Sequence, residues 1–384
     1  MQYCDDSAMN EHDFTGTVAG RVRWVYNRRY CYFRPNPLPF ALKVSTRARR
    51  TLRSTLMSLC RLDGMMIRST EREREIMSNI FVLREAVASI SIDGRRLPVD
   101  AVLMDMADGG RKGYAAEAEG YANAIIYAFT DSSGSRKITS FTMSEMHRRL
   151  IDADHSDISP GEVRSEQSMV GRDGSTLESA RFVPADPQSV HSLYENVMKY
   201  VNTSADSPMQ KAAIAHYQFE AVHPFPEGNG AMGRLLLLFL MFSEGMLTYP
   251  AISVSEYLLD HKRAYFQSLY NVSSKDDFED WFMFTTEAVD EQIAVSEGLI
   301  SDVLGLRERM LSRETNPNRR ATVEMMFDNP YFSVADVMRA TGMTRQGSLK
   351  LLASMETEGL VEEVSGRERN RIYLCRSVRD AAFR

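Results

Sequence analysis

Cysteine is scarce, with four in 384 residues, at Cys4, Cys31, Cys60 and Cys375, and no CxxC pair among them. That spacing argues against a zinc ribbon or a disulfide framework and suits a reducing cytoplasm, where the chain is expected to reside. No apolar run is long enough to cross a bilayer. The richest stretch, Leu235 to Phe242, reads as a core helix, so no membrane partner is expected. No secretory leader, internal repeat or low-complexity tract stands out. Positive charge is in deficit, with a formal net of -6, so any nucleic-acid contact has to be local. At 43% hydrophobic residues the chain can bury two or three domains.

What is present concentrates in His223 to Arg234, HPFPEGNGAMGR. Ser207 at an N-cap and Pro208 at the first helical position open a helix that is apolar nearly all round and therefore buried. Pro224 biases His223 out of helical geometry and ends that helix with an imidazole facing the loop. Gly228-Asn229-Gly230 permits a tight turn, and the run from Ala231 through Leu238 reads as a second buried helix. Its first turn offers free N–H groups and the positive end of a dipole, which suits phosphate oxygens. Glu227 supplies a hard carboxylate of the kind that holds Mg²⁺ beside a nucleotide, and Arg234 can reach back as a charged fork. A zinc site on His216, Glu220 and His223 is disfavoured, because the spacing is not HExxH and Pro224 disturbs the last position.

This stretch resembles the signature of the Fic family, His-x-Phe-x-Asp/Glu-Gly-Asn-Gly-Arg-x-x-Arg. His223, Phe225, Glu227, Gly228, Asn229, Gly230 and Arg234 match it, and Ala231 departs from it by standing where the first arginine is usual. KAAIAHYQFEAVHPF, PGEVRSEQSMVG and ARFVPADP are also similar, so the resemblance covers roughly residues 80 to 300. It implies a mostly α fold with a small β-hairpin flap, and transfer of AMP from ATP to a Tyr, Thr or Ser hydroxyl on a protein, self-modification included. His223 would be the general base and Glu227 the Mg²⁺ ligand. Gly228, Asn229, Gly230, Ala231, Met232, Gly233 and Arg234 would line the ATP, with the Asn229 amide and nearby backbone N–H groups facing the α-phosphate. Ala231 removes one charge-assisted contact, about 1.5 to 3 kcal/mol.

Three further assignments rest on the resemblance. Ser89, Asp93 and Gly94 in EAVASISIDG look like an inhibitory helix, with Asp in place of the usual Glu, so that Asp93 would pair with Arg234 and partly obstruct ATP. Gln167 to Val170 and Ala180 to Val183 read as a hairpin around Asp173-Gly174, an edge on which an extended target segment could pair. In SEYLLDHKRAYF, Tyr257 and His261 could flank the base; the family often has Asn where His261 stands.

Residues 317–384 resemble a winged-helix module, α+β, after a linker ETNPNRR. Ser333 and Thr344 would cap its two helices and Thr341-Gly342 would turn between them. Arg345, Gln346, Ser348 and Lys350 would face DNA, with Arg367 and Arg369 in the wing. The rest divides into residues 1–100, a strap and helices, and residues 101–312, the catalytic core. In the leader, RRYCYFRPNPLPF reads as an extended strap and Ser45 to Leu62 as an amphipathic helix whose Arg47, Arg49, Arg50 and Arg53 form a solvated face. A homodimer is compatible with this reading. The reading from another class is a DNA-binding transcriptional regulator whose Fic domain is weakly active or a sensor.

Overall fold

The computed structural model describes residues 8–109, 113–130, 136–151, 159–172 and 174–383, so Cys4 and Asp173 lie outside the described residues. The architecture is mostly helical, with short strands at the two ends. β1 (Gly20–Val25) and β2 (Tyr30–Pro35) pair antiparallel, so the expected strap is in fact a hairpin. Helices α1 (Thr46–Arg68), α2 (Glu71–Ile92), α3 (Val99–Ala107), α4 (Tyr114–Thr130), α5 (Ser140–Leu150) and α6 (Pro187–Thr203) follow. Next come α7 (Pro208–Val222), α8 (Asn229–Ser243), α9 (Val254–Asp260), α10 (Lys262–Lys275) and α11 (Phe278–Ser312).

α7 and α8 form the innermost helical hairpin, and almost every residue of both is buried. α7 packs against α1, α6, α10 and α11, while α8 packs against α2, α4 and α5. The site is therefore set by the two helices with the least room to move. α1 begins at Ser45, whose hydroxyl accepts from the Ala48 N–H, and its arginines 47, 49, 50 and 53 are exposed as expected. α2 is fastened at its start by a Thr70/Glu73 capping box and ends at Asp93, with Gly94 in left-handed geometry.

The segment ETNPNRR is not a linker. Asn316 caps α12 (Pro317–Met326), and Arg319 pairs with Glu314 at 2.7 Å. After it come β3 (Tyr331–Ser333), α13 (Val334–Thr341), α14 (Arg345–Thr357), β4 (Glu362–Glu363), β5 (Ile372–Leu374) and α15 (Arg376–Ala382). The strands lie in the order β3-β5-β4, all antiparallel. Ser333 and Thr344 cap their helices, and Gly342 turns between them at φ 70°. This unit sits on α2 and α3: Arg379 pairs with Asp100, the Asn329 amide donates to the Leu103 carbonyl, and Arg72 pairs with Glu324 and Asp328. Ser348 is fully buried and so does not face DNA, which corrects its expected role, while Arg345, Gln346, Lys350 and Arg369 are exposed. Arg367 pairs with Asp108 at 2.7 Å.

Candidate active site

His223 ends α7 in left-handed geometry (φ 54°, ψ 63°), its N–H donating to the Phe219 carbonyl at 2.8 Å. The ring is buried, and its Nδ1 lies 3.3 Å from the Glu220 carbonyl. A carbonyl only accepts, so Nδ1 carries the proton and Nε2 keeps its lone pair. Burial, followed by the nearby Arg164 charge, pushes the imidazole down to about 4. It is neutral at physiological pH, as a base requires.

The loop after it is held at nearly every residue. Arg164 donates through Nε to the His223 carbonyl at 2.6 Å, through Nη2 to the Ala185 and Val222 carbonyls, and through its own N–H to the Pro224 carbonyl. Burial lowers this guanidinium to about 10. The Asn229 side chain accepts from the Phe225 N–H at 2.8 Å and donates to the Phe225 carbonyl at 2.7 Å. Its amide is thereby spent on the loop, which corrects the expectation that it faces a phosphate. The Phe225 ring is fully buried and stacks on His147 at 4.1 Å. His147 accepts from the Gly161 N–H at Nδ1 and donates from Nε2 to the Glu227 carbonyl at 3.1 Å. Burial lowers His147 to about 4 as well. The Glu227 side chain is exposed, on a loop whose backbone is fixed.

Gly228 sits at the N-cap of α8 with φ 70°, where a Cβ would be strained and would crowd Ile151. The Met232 N–H donates to the Gly228 carbonyl, so the free first-turn donors are those of Asn229, Gly230 and Ala231. Met232 is wholly buried, and a Cβ at Gly233 would meet Glu220 Oε1 at 2.2 Å. Both therefore face the interior rather than a nucleotide, which corrects their expected role. Ala231 is buried in the first turn and brings no charge.

Arg234 is buried and turned toward α2. Nε donates to Ser89 Oγ at 2.7 Å, and Nη2 donates to the Ser89 carbonyl at 3.1 Å and to Asp93 Oδ2 at 2.8 Å. Ser89 and Asp93 are four residues apart on one face of α2. Burial alone would lower the guanidinium, but Asp93, then Tyr265, Tyr121 and Glu220 more than offset it and raise its pKa. Arg234 Nη1, Asp93 Oδ1 and Glu220 Oε1 are buried without a partner, so the cluster retains capacity to bind. Burial pushes Glu220 up to about 8, against the pull of Arg234.

A small cleft opens between α7 and α10, lined by Tyr217, Glu220 and Ala221 of α7, by Phe266, Leu269, Tyr270 and Ser273 of α10, and by Val170 and Phe182. Its aromatic walls suit a nucleobase. Val170 and Phe182 form a single antiparallel bridge, to which the expected flap hairpin reduces, with Gly174 turning at φ 81°. Tyr257 and His261 stack on each other at 4.0 Å, His261 exposed at the α9/α10 junction, and neither lines the cleft. His216, weighed above as a metal ligand, donates to the Gly233 carbonyl at 2.7 Å and accepts from the Tyr265 hydroxyl at 2.8 Å. Among the described residues no group of three His, Cys, Asp or Glu converges as a metal site. One exposed carboxylate, Glu227, fits Mg²⁺ only where phosphate oxygens complete the shell.

Arg164 and His147 hold this loop from distant parts of the chain, contacts that local spacing does not reveal. The buried helical hairpin joins a neutral histidine at the end of α7 to an open helix N-terminus at the start of α8, and this part of the chain is similar to a known family. Residues 137–241 match the family model for Fic/DOC. Over 119 residues the chain is 35% identical to protein adenylyltransferase fic-1 of Caenorhabditis elegans, covering 29% of this chain and 21% of that protein. Over 202 residues it is 28% identical to protein adenylyltransferase Fic of Aedes aegypti, covering 52% and 36%. The chain thus spans from about a fifth to just over a third of the length of these relatives. The fold is similar to that of a Fic family protein from Desulfovibrio desulfuricans G20, with a TM-score of 0.55 at 16% identity over 87% of this chain and 97% of that one. It is also similar to a fragment of Fic-1 from C. elegans, at 0.51 and 23% identity over 65% and 71%.

Proposed function

We propose that this protein is a nucleotidyltransferase that moves AMP from ATP to a Tyr, Thr or Ser hydroxyl of a protein, itself included, and that Asp93 restrains it. The observation that carries this reading is the neutral His223 ring, its Nδ1 proton held by the Glu220 carbonyl, at the end of α7 and joined by the fixed loop 224–228 to the open N-terminus of α8. His223 Nε2 takes the proton of the incoming hydroxyl, whose oxygen attacks the α-phosphorus while the bond to the pyrophosphate oxygen breaks. First-turn N–H groups of Asn229, Gly230 and Ala231 accept the charge that gathers on the α-phosphate oxygens. Glu227 would hold Mg²⁺, which when bound neutralises charge on the departing pyrophosphate. Aromatic residues of α10 enclose the base, and the edge at Val170 offers backbone pairing to an extended acceptor.

Arg234 is the natural grip for the outer phosphates, and in this conformation Asp93 and Ser89 hold it. Arg234 is 1% exposed and Asp93 30%, so Asp93 is displaced only if incoming phosphates take over the buried guanidinium. The restraint is therefore partial. Incubation with α-labelled ATP and Mg²⁺ tests the proposal. Label on protein should vanish in His223→Ala and rise several-fold in Asp93→Ala at sub-saturating ATP. Persistence of label in His223→Ala removes the general base from the mechanism, and an unchanged rate in Asp93→Ala at every ATP concentration removes the restraint.

A further inference from the structure

The N-terminal hairpin is tied to the flap edge, and one of its faces is basic. The Phe33 N–H of β2 donates to the Val183 carbonyl at 2.8 Å, and the Val170–Phe182 bridge continues that row to the first flap segment. In the β1/β2 register Arg21 stands opposite Arg34, Arg23 opposite Tyr32 and Val25 opposite Tyr30, so these six share one face. At the turn end this face packs on Ala180, Val183 and Leu177 of the flap. Farther along, it emerges as Arg21, Arg23 and Arg34, all exposed. Among the described residues none of the three pairs with a carboxylate. Glu11 accepts from the Trp24 indole on the opposite face, and Asp186, which lies beside Tyr32, caps α6. Like charges placed directly opposite on a two-stranded ribbon are unfavourable by a few tenths of a kcal/mol to about 1 kcal/mol. On a chain of net charge -6, three unpaired arginines on one rigid face are a local exception.

We infer that this face, Arg21, Arg23 and Arg34, is a docking surface for an acidic segment of the protein whose hydroxyl is modified. The inference rests on the transferase reading, since the hairpin matters to a substrate only through its tie to the flap. Strands lie about 4.8 Å apart, so an acceptor paired on the Val170 edge has Arg34 about 14 Å away, three spacings across. The acidic segment therefore does not flank the modified residue directly. It sits on a part of the target that crosses the flap. A polypeptide occupant fits better than nucleic acid, because of the two tyrosines on the arginine face Tyr30 is buried and Tyr32 lies beside Asp186, and the exposed Trp24 belongs to the opposite face.

The test uses the full chain as Asp93→Ala, α-labelled ATP, and two fluorescent peptides. Each peptide has a Tyr acceptor, a six-residue Gly-Ser spacer and a block of six Glu or six Lys; the spacer alone reaches about 20 Å. The Glu peptide should be labelled roughly tenfold faster than the Lys peptide at low salt, with the difference shrinking as salt rises. Arg21→Ser/Arg23→Ser/Arg34→Ser should abolish that preference and leave self-labelling unchanged, which also certifies that the variant is folded. Equal labelling of both peptides, or a preference that survives in the triple variant, overturns the docking inference. Label on neither peptide nor protein overturns the transferase reading instead, and anisotropy of the Glu peptide then still reads docking alone. Binding of a 20-nucleotide oligo-dT through the same arginines, with no binding of the Glu peptide, assigns the face to nucleic acid and also overturns it.

Discussion

With the His223 imidazole held down at about 4 and its Nδ1 proton committed to the Glu220 carbonyl, Nε2 is left as the lone-pair nitrogen that the proposed transfer needs. Arg164 contributes to this in two separable ways. Its charge helps to lower the imidazole, and its planar fork gathers the carbonyls of Val222, His223 and Ala185 at the end of α7. Lysine keeps the charge and loses the fork, whereas methionine loses both. Arg164→Lys should lower kcat about tenfold or more with KM for ATP little changed and the acid limb of the rate profile in place. Arg164→Met should also move that limb upward, because the repulsion on protonated His223 is gone. Either change should cost about 1 to 3 kcal/mol of stability from unsatisfied buried carbonyls, readable as a shifted urea midpoint. Identical acid limbs in the two variants would restrict Arg164 to a packing role.

At the level of elements, α7 and α8 approach so closely that a Cβ at Gly233 falls 2.2 Å from the end of the Glu220 side chain, which must move to admit it. Gly233→Ala should destabilise the chain by about 1 to 3 kcal/mol, and Glu220→Ala should recover a large share of that in the double variant. Strict additivity in this double-mutant cycle, measured by denaturant unfolding, would show that the clash relaxes elsewhere. This crossing explains which parts of the fold could be read in advance. Ser207-Pro208, His223-Pro224 and Gly228 punctuate α7 and α8 by local chemistry, so both helices and the loop between them were legible, while the reach of Asp93 to Arg234 came only from the family resemblance. The hairpin β1/β2 was not, because its turn uses Arg29 at φ 56° where a glycine or asparagine would have announced it. ETNPNRR misled for the opposite reason: an Asn-Pro pair marks a loop and a helix start equally well, and here Asn316 caps α12. Arg164 and His147 were silent, since their value lies in backbone groups dozens of residues away, and spacing carries no trace of such contacts. The Asn229 amide and Ser348 show the converse, residues of the right type whose side chains turn to the loop or the core.

Across the whole molecule, the buried ionisable groups oppose one another in their response to pH. His147, His216 and His223 each lie at about 4 against an ordinary 6.5, all through burial. Between those values the unfolded chain binds more protons than the folded one, so their contribution is full above about 6.5 and is lost as pH falls toward 4. Each shift is worth on the order of 3 kcal/mol. Glu220, raised by burial to about 8 from 4.5, acts in the other direction: the folded chain binds the extra proton, and stability declines as pH rises from 4.5 through 8. Glu85, also raised by burial, has the same sign. Three histidines outweigh the raised carboxyls below 6.5, and Glu220 still acts above it, so stability should peak near pH 6.5. Urea midpoints taken between pH 5 and 8.5 should rise and then fall across that point. Glu220→Gln should flatten the alkaline limb, because glutamine stays uncharged at every pH, while leaving the acid limb in place. A midpoint that stays level from pH 6.5 down to 5 would mean that the three imidazoles accept protons in the folded chain, and would remove the neutral base on which the transfer chemistry depends.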